Sequence, residues 1–293
     1  MSVRMTAVAG QFYESSHKGC LEQVQQLLPS EPLTGLPERI VAGVVPHAGW
    51  VFSGDLAALV FAAIRGQQAV DTFVIFGAVH RVRASSHGLL YDSGQWGSPL
   101  GVIDVDEELA QAILGEAPDI IKADTSVHFR EHSIEVQVPF IQHLFPDAKI
   151  VPLMVGPILE ACEIGRSVGR VISRSDKRIV AVASTDLTHY GPSYNFTPMG
   201  IGPEAIRWAK EQNDKFFINL AVTMQADKLV ESSGMYNSAC GAGAVAGAVG
   251  TAVELGVVEG KLLAHTTSAE IVEKKYNQQS MDSVGYAAIV FGL

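Results

Sequence analysis

The chain has 293 residues, with 31 Asp plus Glu against 21 Lys plus Arg, giving a formal net charge of −10. Hydrophobic residues make up 47% and charged residues 18%, which excludes a disordered chain. No basic surplus exists to release counterions, so no nucleic-acid partner is expected. Cys20, Cys162 and Cys240 are far apart and odd in number, so neither a disulfide framework nor a cysteine-rich zinc site is expected. Met1–Gln11 lacks a signal-peptide pattern, and no uncharged apolar run reaches about 18 residues. No membrane partner and a cytoplasmic location follow as expectations.

The apolar pattern alternates short continuous runs with longer amphipathic ones. Ile40–Val45 reads as a buried strand, Gly54–Arg65 as a helix, Thr72–Phe76 as a strand and Asp106–Leu114 as a helix. Ser133–Leu144 has helical spacing at Ile134, Val138 and Ile141, with Pro139 expected to kink or shorten it. Lys149–Val155 is a strand, Leu159–Ile172 a helix and Arg178–Ala183 a strand. Pro203–Leu220 and Cys240–Leu255 read as helices. Lys261–Thr267 and Val284–Phe291 close the sheet. No linker or repeat divides the sequence, so residues 1–293 read as a single α/β domain. Its sheet is expected to be mostly parallel, with helices on both faces.

Three predicted strands each deliver a histidine just past their C-terminal end. Strand 40–45 runs into His47, strand 72–76 into His80, and strand 178–183 through Asp186 into His189. That edge of an open parallel sheet is where ligands bind. The three would form one site if the strands are neighbours; otherwise they are ordinary loop histidines. Cys240 opens a Gly/Ala-rich helix, where the dipole would favour thiolate, the form that binds metal or attacks. The plainer reading is a small buried hydrophobe. Glu131 and His132 precede a helix and could orient ligands of a metal site, or simply complement a helix dipole. Phosphate-loop, dinucleotide, zincin and nucleophile-elbow motifs are absent.

Pro46-His47-Ala48-Gly49-Trp50-Val51-Phe52-Ser53-Gly54 resembles the P-H-A-G-[YW]-x-[YF]-[SC]-G element of the MEMO family (mediator of ErbB2-driven cell motility), whose prokaryotic members are often called AmmeMemoRadiSam system protein B. Ala9–Tyr13, Gly77–His80, Glu131–Phe140, Ser184–Gly191 and Cys240-Gly241 resemble further family elements in order, with Ala78 in place of a proline. The resemblance implies a fold similar to class III extradiol dioxygenases, which are non-haem iron enzymes. It implies His47 and His80 as metal ligands, Cys240 in the third ligand position, and His189 as an acid/base. A thiolate in place of the dioxygenase carboxylate softens the site, so copper and zinc compete with iron.

Three functions follow as expectations. The first is an iron- or copper-dependent redox enzyme acting on a small organic substrate. In it, Asp186 would orient His189 or a ligand, Glu131 and His132 would line the pocket, and Trp50, Phe52 and Tyr190 would form an aromatic wall. The second is a peptide-binding module, as the resemblance to eukaryotic members implies; the nearby basic residues are Arg81, Arg83 and Arg130. The third is a metal-free enzyme with Cys240 as nucleophile and His189 as base. The prokaryotic naming also implies radical SAM and AMMECR-type partner proteins.

Overall fold

The computed structural model describes residues 2–80 and 86–293. Its strands are β1 (Val3–Arg4), β2 (Ile40–Val45), β3 (Thr72–Gly77), β4 (Gly88–Leu90), β5 (Gln95–Ser98) and β6 (Gly101–Asp104). They continue as β7 (Ile121–Ala123), β8 (Lys149–Met154), β9 (Ile179–Ser184), β10 (His189–Tyr190), β11 (Gly260–Thr267) and β12 (Ser283–Gly292). The helices begin with α1 (His17–Leu27), α2 (Trp50–Gln67), α3 (Glu107–Glu116), α4 (Val138–Leu144) and α5 (Ala161–Ser173). They end with α6 (Pro203–Trp208), α7 (Lys215–Val222), α8 (Ala226–Tyr236), α9 (Ala242–Glu254) and α10 (Ser268–Tyr276).

The main sheet has the order β10-β12-β2-β9-β3-β8-β4-β7, with β11 on β12, and β1, β5 and β6 form a small second sheet. The central strands β2, β9, β3 and β8 are parallel, whereas β12 joins β2 antiparallel and β4 joins β8 antiparallel. Fully apolar runs form the parallel centre because both faces are covered. Along β3, Phe73 and Ile75 enter one core while Val74 and Phe76 enter the other. One core packs under α1, α2 and α4; the other packs under α5, α8 and α9.

Helix starts differ from the sequence expectation in ways that move side chains. Helix α2 begins at Trp50 rather than Gly54, with Gly49 as its cap. Pro139 lies in the first turn of α4 and sets its start, after a 3₁₀ turn at Glu135–Gln137, instead of kinking a longer helix. Pro203–Leu220 is broken by a π-helical turn at Ala209–Asp214. Helix α9 starts two residues after Cys240.

Helices α5 and α9 touch backbone to backbone through glycines. A Cβ on Gly165 would lie 2.0 Å from the Gly247 carbonyl oxygen. Gly165→Ala is therefore expected to cost about 1–3 kcal/mol, because the helices must part. The check is a lowered urea midpoint at unchanged slope. Among the described residues, no helix is long and apolar enough to cross a membrane.

Candidate metal centre

Strands β2, β9 and β3 are adjacent in that order, so the residues just beyond them converge at one edge. His47 comes after β2, Asp186 and His189 after β9, and His80 after β3. His132 comes from the loop before α4. One ring nitrogen from each of His47, His80 and His132 can be chosen so that the three lie within 4.8 Å of one another. Ring centroids are 5.1 Å apart for His47–His80, 5.3 Å for His47–His132 and 4.9 Å for the stacked His80–His132 pair.

Hydrogen bonds fix two of the tautomers. Ser184 Oγ donates to the Ser133 carbonyl at 2.6 Å, so its proton is committed. His47 Nδ1, 3.1 Å away, must then donate to that oxygen, and the His47 lone pair sits on Nε2. His80 Nδ1 lies 3.0 Å from Glu131 Oε1 and donates to it, so the neutral ring carries its lone pair on Nε2. Glu131 is buried and also accepts the backbone N–H groups of His80, His132 and Ser133. A carboxylate behind a histidine is the usual support of a metal-ligating imidazole.

Charge follows from these contacts. Burial holds the His47 imidazole well below its ordinary range, with help from the neighbouring His80 and His132. Burial also lowers His132. Burial alone would raise Glu131, but its His80 hydrogen bond and backbone donors outweigh that and keep it ionised. The imidazoles His47 and His132 are thus kept neutral, the form that ligates metal.

Cys240 Sγ lies 3.2 Å from His47 Nε2 and accepts the Asp186 backbone N–H at 3.3 Å. It is not part of the mutually close histidine group. The third position of that group is held by His132, which the sequence pattern places only in the supporting shell. The expectation of a dipole-lowered thiol is corrected. Burial, with the Asp186 carboxylate nearby, pushes the Cys240 thiol up, because Cys240 precedes the helix instead of capping it. The thiol therefore faces the His47 lone pair as a protonated, soft group. A Cys240–His189 nucleophile pair is not formed; the imidazole beside Cys240 is that of His47.

Other expected site residues fall differently. Asp186 accepts the backbone N–H groups of His47 and Ala48, at 2.8 and 3.3 Å, and so holds the His47 turn. His189 is oriented instead by its Nδ1 contact with the Leu187 carbonyl, at 3.0 Å. Trp50 is core: as the first residue of α2 its ring packs on Tyr13 and Phe140, and Nε1 donates to the Val136 carbonyl. Tyr190 is fully buried, its hydroxyl donating to the Gly200 carbonyl. Neither forms the cavity wall. That wall is Phe12, Phe52, Tyr194 and Tyr286, around a cavity of about 490 Å³ whose floor includes the three imidazoles, Asp186 and His189. Arg130 is exposed, and Arg81 and Arg83 lie outside the described residues.

The donor set fits a first-row metal ion: three imidazoles with a thiol beside one of them suit iron, copper or zinc. Fold and site together define an α/β protein with a metal-competent histidine cluster at the C-terminal edge of a parallel sheet centre. A family model described as Memo-like protein matches residues 4–290, and the chain belongs to that family. It is 36% identical to a MEMO1 family protein of Thermococcus onnurineus, over 99% of each chain. It is 33% identical to one of Pyrobaculum aerophilum, again over 99% of each. A crystal structure of an uncharacterized protein from Escherichia coli K12 shares the fold, with a TM-score of 0.52 at 15% identity. That likeness covers 87% of this chain and 100% of the other.

Proposed function

We propose that this protein is a metal-dependent enzyme that oxidises a small organic substrate. The metal would be held by His47, His80 and His132, with Cys240 as an additional soft donor beside His47. The observation that carries this reading is the convergence of one nitrogen from each of the three imidazoles within 4.8 Å. The fold similarity to non-haem iron dioxygenases that the family resemblance implies supports an oxidative reaction and favours iron among the metals, with copper and zinc as competitors. Bound iron or copper would supply a Lewis-acidic, redox-active centre.

The chain's own residues do the remaining work. Ser184 and Glu131 hold protons on the outer nitrogens of His47 and His80, so both rings present lone pairs without rotating. Asp186 fixes the His47 turn through two backbone N–H groups. His189, with its Nδ1 proton held by Leu187, keeps a basic Nε2 for a substrate hydroxyl. Phe12, Phe52 and Tyr194 line the cavity as an apolar wall for the organic body of the substrate.

Anaerobic titration with Fe(II), Cu(I) and Zn(II) tests the metal step. Glu131→Ala is expected to weaken binding roughly 10–100-fold, since the supporting carboxylate is lost. Saturable binding, then oxygen uptake with a panel of phenolic and other small organic substrates, supports the oxidative reading. Binding without any oxygen uptake across the panel would count against it.

A further inference from the structure

The π-helical turn at Ala209–Asp214 ends on two buried residues, Asn213 and Asp214, neither of which lines the cavity. We infer that Asn213 and Asp214 are positioning residues for His189, holding the backbone that fixes which ring nitrogen carries its proton. This rests on the reading of His189 as the pocket base.

The geometry is a clamp on Thr188, the residue before His189. Asp214 Oδ1 accepts the Thr188 N–H at 3.0 Å. Asn213 Nδ2 donates to Thr188 Oγ1 at 3.0 Å. The Thr188 carbonyl accepts the Gly285 N–H at 3.1 Å, and Leu187 N–H donates to the Gly285 carbonyl. Every polar group of Thr188 is thereby engaged. The His189 Nδ1–H···O contact spans from His189 back to Leu187, so it exists only while the intervening Thr188 keeps its conformation.

Asp214 is itself built in. Its other oxygen lies 3.1 Å from His265 Nε2. A Cβ at Gly285 would meet that oxygen at 2.0 Å, so only glycine admits the carboxylate there. Asn213 also donates to the Tyr236 carbonyl at 2.9 Å, where α8 ends and the segment carrying Cys240 begins. The extra residue of a π turn, a feature concentrated at functional sites, thus ties both the His189 and Cys240 segments to one helix. The chemical result is that the proton stays on Nδ1 and the basic lone pair stays on Nε2.

The test is long-range ¹H–¹⁵N NMR of the histidine rings in the full-length chain, metal-free and then with Zn²⁺. His189 is assigned by comparison with His189→Gln. Wild type is expected to show the Nδ1–H form. Asp214→Ala and Asn213→Ala are expected to move the ring proton to Nε2, and Asp214→Asn, which keeps an acceptor for Thr188, to restore Nδ1–H. Unchanged His189 signals in both alanine variants, or failure of Asp214→Asn to restore the wild-type form, would overturn the inference. If Asp214→Ala does not fold, Asn213→Ala decides alone. Zn²⁺ binding by wild type is read in the same samples. Its absence would count against the metal reading while leaving the tautomer result intact.

Discussion

Glu135→Ala is expected to lower the unfolding free energy by about 3–5 kcal/mol, the cost of leaving a buried charge without its partner. That charge is Arg4, which has no exposed surface. Its Nη1 meets Glu135 Oε2 at 2.5 Å, its Nη2 donates to the Glu131 carbonyl at 2.5 Å, and its Nε donates to the His128 carbonyl. The guanidinium also stacks over Trp96, 4.4 Å from the ring centroid. Glu135 additionally accepts the backbone N–H groups of Ala7 and Val8 and the Tyr13 hydroxyl. The pair therefore staples the N-terminal segment, with Phe12 of the cavity wall, to the loop that presents Glu131 and His132. Urea unfolding gives the size of the effect. The double variant Arg4→Met/Glu135→Leu should recover only part of the loss: no charge is then stranded, but the Tyr13 hydroxyl and the Ala7 and Val8 N–H groups lose their acceptor. A loss below about 1 kcal/mol in Glu135→Ala, the range of an exposed pair, would show that the pair is not the staple.

Acid should destabilise the fold through His128. This ring is fully buried; its Nε2 donates to the Leu89 carbonyl at 3.1 Å, and its Nδ1 has no protein partner among the described residues. Burial lowers its pKa from 6.5 to about 4. A neutral native histidine that protonates only on unfolding gives stability that is fully present above about pH 6.5. That stability is lost as pH falls toward about 4, since the unfolded chain binds the proton first. The shift is worth about 3 kcal/mol at about 1.36 kcal/mol per pKa unit. Urea unfolding of wild type at about pH 7 and about pH 4.5 should therefore differ by about 2–3 kcal/mol more than unfolding of His128→Gln. Gln keeps a donor for Leu89 without titrating. Equal pH slopes for the two proteins would remove His128 as the cause.

Much of the site is legible in the sequence because strand ends are. Continuous Val/Ile/Ala runs mark parallel strands, and the residues after each run land on one edge once the strands prove adjacent. That logic reaches His47, His80, Asp186 and His189. It does not separate His132 from the supporting residues, because a loop residue's direction depends on tertiary contacts. His132 is turned inward by the Glu131 carboxylate, which gathers three backbone N–H groups, and by Arg4 beneath it. The neighbouring Glu-His pair is the available signal. Trp50 and Tyr190 fall elsewhere for related reasons: a helix start one turn early turns Trp50 to the core, and the short strand β10 sends Tyr190 away from His189 to the Gly200 carbonyl. Cys240 shows the opposite error, where a general dipole argument gives way to burial and a nearby carboxylate. The π turn has no composition signature, so the clamp on Thr188 is visible only in three dimensions.

The most direct test of the metal centre is elemental analysis of protein purified anaerobically, for wild type, His47→Ala, His132→Ala and Cys240→Ser. The expected result is about one equivalent of iron or copper in wild type, the capacity of a single three-histidine cluster. His47→Ala and His132→Ala should lose it, and Cys240→Ser should retain it with weakened binding. Wild-type protein that takes up no iron, copper or zinc, even after anaerobic addition, would contradict the metal reading. Loss in Cys240→Ser with full retention in His132→Ala would instead contradict the three-histidine assignment.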